Sequence, residues 1–120
     1  MLRQALVIED DPGMRAIYRR VLADIEYEVI EAVDGVAAID MLKQVKPDII
    51  FLDVLLPHAN GLTVLDYLSR EAHLQDTHVV IVTSNRHFEH EAQQIRRVDF
   101  VQKPIRPAQI RELANTAAQM

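Results

Sequence analysis

Residues 47–61 read PDIIFLDVLLPHANG, and this stretch decides the fold. Four consecutive apolar residues at positions 49–52 lead directly into Asp53. A continuous rather than alternating apolar run is typical of a strand that is covered on both faces, as in a parallel sheet with helices on either side. The stretch therefore predicts a buried strand that ends in an aspartate, followed by a helix that begins at Asn60-Gly61.

Similar short apolar runs recur along the chain, with helical patterns between them. Runs rich in β-branched or aromatic residues predict four further strands, around residues 6–8, 29–30, 79–82 and 100–101. Capping signals and helical spacing of apolar residues predict five helices, which begin at Asp11-Pro12, Asp34-Gly35, Asn60-Gly61, near His87 and at Pro107. We therefore expect an α/β protein of (βα)5 doubly wound architecture, with a flavodoxin-like five-stranded parallel sheet of order 2-1-3-4-5.

The composition limits the size of the protein and the kind of function it performs. The 120 residues carry a net charge of −5 and no cysteine, so we expect one domain over residues 1–120 without disulfides. No apolar run approaches the roughly 20 residues that cross a bilayer, and the first residues lack a signal-peptide pattern, so we expect a cytoplasmic protein with no membrane contact. The acidic balance argues against direct binding of nucleic acid.

Polar residues follow the predicted strands at the sheet edge where, in open α/β folds, ligands bind. Glu9 and Asp10 follow the first strand, Asp53 the third, Thr83 the fourth and Lys103 the fifth. Because three carboxylates at one edge repel one another, they favour a hard divalent cation such as Mg²⁺. An aspartate beside a cation, a lysine and a hydroxyl is suited to phosphoryl transfer.

Four motifs in this order resemble the receiver domain of bacterial two-component response regulators, and of chemotaxis regulators in particular. The motifs are LVIEDDPGMR at residues 6–15, PDIIFLDVLLPHANG at residues 47–61, VIVTS at residues 80–84 and DFVQKP at residues 99–104. Each lies at the end of a predicted strand, and together the motifs extend over nearly the whole chain. The resemblance implies a signalling protein that assists its own phosphorylation and dephosphorylation, not a conventional enzyme.

The resemblance also assigns roles to the acidic residues. Asp53 corresponds to the phosphoacceptor, which takes a phosphoryl group from a phosphohistidine of a sensor histidine kinase or a phosphotransfer protein. Asp10 and Asp53 correspond to direct ligands of Mg²⁺ or Mn²⁺, Glu9 to a ligand through a water, and Leu55 to a ligand through its backbone carbonyl. Mg²⁺ is thus the expected cofactor.

Further residues correspond to the parts that sense and transmit phosphorylation. Lys103 is expected to bind a phosphoryl oxygen, and Thr83 to move toward the phosphoryl group while Phe100 fills the space it leaves. In this family Lys103-Pro104 corresponds to a cis peptide bond. The face of helix 4, strand 5 and helix 5 is then expected to control a downstream protein, with homodimerisation through helices 4 and 5 as a further expectation.

The chain also departs from the family pattern. Arg96-Arg97-Val98 occupies the place of a small-residue and glycine stretch, which predicts a shortened or shifted fourth helix. Arg96 and Arg97 are interpreted as solvated charges. Phe100 stands where many relatives have tyrosine.

The same residues argue against other functions. A haloacid-dehalogenase-type phosphohydrolase needs a second aspartate two positions after the nucleophile, but position 55 is leucine. A flavodoxin-like nucleotide carrier needs a glycine- and hydroxyl-rich loop after the first strand, where this chain has carboxylates. His87 and His90 lie in a polar helical pattern without a third ligand, which favours an exposed face over a metal site. A receiver-fold adaptor that no longer depends on phosphorylation stays open as the alternative.

Overall fold

The computed structural model describes residues 2–54 and 60–119. Within these residues, parallel strands form one sheet in the order β2-β1-β3-β4-β5, which confirms the predicted topology. The strands are β1 (Arg3–Ile8), β2 (Tyr27–Ala32), β3 (Ile49–Asp53), β4 (His78–Thr83) and β5 (Asp99–Gln102). Each predicted apolar run lies inside one of them.

Helices connect the strands and cover the sheet. In the described chain they are α1 (Pro12–Asp24), α2 (Gly35–Leu42), α3 (Gly61–Arg70), α4 (Phe88–Ile95) and α5 (Pro107–Ala118), with a short 3-10 turn at Ala72–Leu74. The side chains of Asp11, Asp34 and Asn60 each accept a hydrogen bond from a backbone N–H in the first turn of the helix that follows, which explains where three helices begin. None of these helices is both long and apolar enough to cross a membrane.

The central strand β3 is buried on both faces, as its unbroken apolar run predicted. Ile50 and Leu52 pack in a core with α2, α3 and α4, whereas Ile49 and Phe51 pack in a second core with α1 and α5. All four side chains are at most 1% exposed. Since burying one such side chain contributes about 1.5–3 kcal/mol, β3 is firmly held and presents Asp53 at its carboxyl end.

Helix α4 is short, and Arg96 accounts for the way it ends. Its guanidinium donates hydrogen bonds to the carbonyl oxygens of Leu74 at 3.3 Å, Gln75 at 3.3 Å and Thr77 at 2.9 Å. The interpretation of Arg96 as a solvated charge was therefore wrong, because the side chain is partly buried and fastens the end of α4 to the segment before β4. Arg97 is exposed, as expected.

Candidate functional site

The carboxyl ends of β1 and β3 bring the acidic residues together. Ile8 pairs with Leu52 across the two strands, so the residues that follow, Glu9 and Asp53, lie beside each other. One carboxylate oxygen from each of Glu9, Asp10 and Asp53 lies within 4.8 Å of the others. This spacing suits oxygen ligands that share one divalent cation, directly or through a water.

Two of the three carboxylates are withdrawn from solvent. Glu9 is 3% exposed and Asp53 is 6% exposed, whereas Asp10 is exposed. Among the described residues, no hydrogen-bond donor reaches the buried Oε2 of Glu9. A buried carboxylate oxygen without a donor costs free energy, and a cation supplies the missing partner. The residues present therefore fit a divalent metal ion.

Burial and a neighbouring charge make Glu9 a weak acid. Burial first, and then the charge of Asp53, raise the pKa of Glu9 from its ordinary 4.5 to about 7. Lys103 opposes this shift but does not cancel it. At neutral pH Glu9 is therefore only partly ionised, and a nearby cation would favour its charged form.

Lys103 reaches the acidic cluster from the end of β5. Its Nζ donates to Asp53 Oδ2 at 2.9 Å and to Glu9 Oε1 at 3.2 Å. Partial burial opposes protonation, but the hydrogen bond and charge of Asp53, and then Glu9, raise the pKa of Lys103 above its ordinary value. The Lys103 N–H donates to Thr83 O at 2.9 Å, and the Lys103-Pro104 peptide bond is cis. The lysine is thus a charged donor aimed at Asp53.

Thr83 and Phe100 lie on the adjacent strands β4 and β5. Val82 pairs with Asp53, so Thr83 stands one residue beyond it at the end of β4, and it is 1% exposed. Its Oγ1 accepts a hydrogen bond from Asn85 N–H at 3.2 Å. Phe100 in β5 is partly buried and packs against the core shared with α2, α3 and α4. The backbone carbonyl expected of Leu55 lies outside the described residues.

Gly61 has a role at this site that sequence reasoning missed. In the sequence it was interpreted only as the start of a helix. A Cβ at Gly61 would lie 2.6 Å from Val54 Cα and 2.8 Å from Asp53 O, closer than such atoms approach. The Gly61 N–H donates to Val54 O at 2.8 Å. Only glycine lets α3 approach the backbone that carries Asp53.

The histidines do not form a metal site in the part of the chain that the structure describes. Glu9, Asp10 and Asp53 are the only group of three or more such residues there whose ligand atoms are close enough to share an ion. His87 and His90 are exposed, as the sequence predicted.

The raised pKa of Glu9 predicts a pH-dependent stability. The folded protein holds this proton to higher pH than the unfolded chain, so the free energy of unfolding falls as pH rises from about 4.5 to about 7, by on the order of 3 kcal/mol. We expect Glu9→Gln to remove this decrease. Urea unfolding of both proteins across this pH range, without divalent cations, measures the difference. Parallel curves for the two proteins would contradict the prediction.

Comparison with known sequences identifies a family and a curated relative. The family described as the response regulator receiver domain matches residues 5–115. The phosphate regulon transcriptional regulatory protein PhoB of Klebsiella pneumoniae is 32% identical over 112 residues, which cover 92% of this chain and 49% of that protein. The chain thus spans about half the length of the curated PhoB proteins that it matches.

Solved structures share the fold over nearly the whole chain. The chemotaxis response regulator CheY4 of Vibrio cholerae aligns with a TM-score of 0.89 at 20% identity, covering 98% of this chain and 99% of that chain. The receiver domain of sensor histidine kinase PA1611 from Pseudomonas aeruginosa PAO1, whose structure has a magnesium ion coordinated in the active-site cleft, aligns with a TM-score of 0.84 at 21% identity. That alignment covers 99% of this chain and 97% of the other.

Proposed function

This chain belongs to the response regulator receiver domain family, a family of signalling domains, and from that premise we propose that Asp53 is its phosphoacceptor. A carboxylate oxygen of Asp53 attacks the phosphorus of a phosphohistidine. The P–N bond breaks as the new P–O bond forms, giving an acyl phosphate. The donor is a sensor histidine kinase or a phosphotransfer protein.

The observation that carries this proposal is the pairing of Asp53 with Lys103. Aspartate is rarely buried unless it is paired, and Asp53, which is 6% exposed, has an oxygen 2.9 Å from Lys103 Nζ. When Asp53 carries a phosphoryl group, the lysine can donate to a phosphoryl oxygen from the same position. Phosphoryl transfer depends mainly on this kind of positioning and charge neutralisation.

The acidic cluster supports a requirement for Mg²⁺, with Mn²⁺ as a substitute. We assign Asp10 and Asp53 as direct ligands, Glu9 as a ligand through a water, and the backbone carbonyl of Leu55 as the remaining protein ligand. The bound ion supplies positive charge that neutralises the carboxylates and the transferring phosphoryl group. The orphaned Glu9 Oε2 is the feature that supports a cation here.

Thr83 and Phe100 are proposed as the switch. In the present structure Thr83 Oγ1 accepts from Asn85 N–H, so its O–H hydrogen would be able to donate to a phosphoryl oxygen on Asp53. Movement of Thr83 would leave space for the partly buried ring of Phe100. The two arrangements form a two-state equilibrium that phosphorylation biases.

We propose that phosphorylation changes the face formed by α4, β5 and α5, and that this face binds protein partners. A second copy of this chain is one such partner, through α4 and α5. We propose residues 1–120 as one receiver domain that acts in the cytoplasm. Relatives such as PhoB are named as transcriptional regulators, so the expectation that this protein does not bind nucleic acid directly stays a prediction.

Phosphorylation by acetyl phosphate tests the proposal. We expect intact-mass measurement to show one added phosphoryl group in the presence of Mg²⁺. The adduct should be absent when the metal is chelated and should be lost in base, as an acyl phosphate is. No adduct on the folded protein with Mg²⁺ would refute the proposal and favour the phosphorylation-independent adaptor.

Beryllofluoride, which imitates a phosphoryl group on aspartate, tests the switch. We expect amide resonances of Phe100 and of α5 to shift when beryllofluoride and Mg²⁺ are added, because the Thr83 movement is transmitted through β5. Heteronuclear NMR of the wild type and of Asp53→Asn under identical conditions measures the response. Shifts confined to the residues around Asp53 would rule out the switch.

A further inference from the structure

Arg15, in the first turns of α1, reaches back to the loop that carries the acidic residues. Its Nη1 donates to the carbonyl oxygens of Glu9 and Asp10, each at 3.0 Å. The side chain is 18% exposed. One guanidinium nitrogen therefore holds two consecutive peptide groups of the acidic loop.

The other side of the same guanidinium is held by β2. Arg15 Nε lies 3.4 Å from Oε1 of Glu31, a carboxylate that also accepts two hydrogen bonds of 2.8 Å from Arg19. The hydrogen bond from Arg19, and then the charges of Arg19 and Arg15, lower the pKa of Glu31 although burial opposes them. Glu31 is thus ionised at neutral pH and fixes the direction of Arg15.

The backbone at the start of the loop is also held by β2. The Glu9 N–H donates to Ala32 O at 3.0 Å, which continues the pairing of β1 with β2. The carbonyls of Glu9 and Asp10 are held by Arg15. The peptide groups that Arg15 holds follow the Cα atoms of Glu9 and Asp10, so Arg15 restrains the backbone from which both side chains extend.

We propose that Arg15 is the positioning residue of the metal site, which holds Glu9 and Asp10 so that their carboxylates converge with Asp53. This inference rests on the proposed Mg²⁺ site. Two effects of Arg15 oppose each other, because its positive charge repels a cation whereas its hydrogen bonds pre-arrange the ligands. Glu31 lies against the guanidinium and reduces the repulsion, so we expect pre-arrangement to dominate.

Three variants separate these effects in Mg²⁺ titrations of the unphosphorylated protein by calorimetry. Arg15→Met keeps the apolar stem and removes charge and hydrogen bonds, and we expect Mg²⁺ affinity to fall about 10-fold, as for other groups that hold metal ligands in place. Arg15→Lys keeps the charge but not the planar fork, so its Mg²⁺ affinity should lie between that of the wild type and that of Arg15→Met. Arg19→Met is the matched control, which removes an arginine from Glu31 without touching the loop, and should stay within about 2-fold of wild type.

A kinetic measurement distinguishes positioning from general loss of structure. With acetyl phosphate, the Mg²⁺ concentration for half-maximal phosphorylation should rise in Arg15→Met, while the rate at saturating Mg²⁺ stays close to that of the wild type. A variant that is merely less stable shows lower unfolding midpoints and an unchanged Mg²⁺ requirement. If Arg15→Met does not fold by circular dichroism, Arg15→Lys decides the question on the same criteria.

Several results would overturn the assignment. Tighter Mg²⁺ binding by Arg15→Met shows that charge repulsion dominates, and unchanged binding shows that the hydrogen bonds do not matter for the metal. Complete rescue by Arg15→Lys, or an equal loss in Arg19→Met, shows that the two-carbonyl geometry is not the cause. Absence of Mg²⁺ binding by the wild type would instead refute the proposed metal site itself.

Discussion

Asp53→Asn is expected to abolish phosphorylation while leaving the fold intact. The amide has nearly the shape of the carboxylate, but its oxygen is a poor nucleophile and cannot form a stable acyl phosphate. We expect the rate of adduct formation from acetyl phosphate to fall by at least about 100-fold, below detection by intact mass. Replacing the charge also removes one of the two largest causes that raise the pKa of Glu9. The substitution should therefore not lower the free energy of unfolding through the interaction between residue 53 and Glu9.

Asp48 provides a matched control for this substitution. It lies just before the other end of β3, is exposed, and its Oδ2 accepts from Gln4 N–H at 2.7 Å. Asp48→Asn keeps an oxygen acceptor at that position and should be phosphorylated at the wild-type rate. An adduct of equal amount on Asp53→Asn would show that another side chain is the acceptor, and peptide mapping of that adduct would locate it.

Gly61→Ala is expected to damage both the fold and the site. The new Cβ would overlap the backbone at Val54 Cα and Asp53 O, at 2.6 Å and 2.8 Å, and backbone atoms of a buried strand end cannot move as a flexible side chain can. We expect the free energy of unfolding to fall by about 2 kcal/mol or more. Because Asp53 must shift to relieve the overlap, phosphorylation should also slow by roughly 10- to 100-fold.

Gly13→Ala is the corresponding control at the start of another helix. A Cβ there would meet only the side chain of Asp11, at 3.4 Å. Alanine also favours the helix over glycine by up to about 1 kcal/mol, so stability should stay the same or rise slightly. Urea unfolding and acetyl phosphate kinetics on both variants measure these effects. Equal behaviour of the two alanine variants would contradict the role given to Gly61.

Local sequence signals were enough to predict the fold. The continuous run at residues 49–52 indicated a strand buried on both faces, and each of its side chains is at most 1% exposed. Asp11, Asp34 and Asn60 marked the starts of helices because a capping side chain acts on backbone groups only a few residues away. Predictions of this kind succeed because cause and effect lie close together in the chain.

Side-chain contacts between residues far apart in the chain were harder to predict from the sequence. Arg96 was interpreted as solvated, yet it binds carbonyls of residues about 20 positions earlier. Gly61 was treated as a helix start, although its lack of a side chain matters for contact with Asp53 and Val54. Arg15 lies within the motif at residues 6–15, and the sequence pattern assigned it no role. In each case the partner is backbone, which has no distinctive residue type to reveal it in a sequence.

The sequence by itself determined the order of the elements and which residue types follow each strand. Parallel strands with helical crossovers place those strand ends at one edge, so the meeting of Glu9, Asp10 and Asp53 followed from topology. Only the tertiary structure decided that Glu9 is buried with an orphaned oxygen, that Lys103 pairs with Asp53, and that Arg15 holds the acidic loop. Burial and hydrogen bonds depend on distances of a few tenths of an ångström between residues far apart in the chain, which residue types and spacing do not specify.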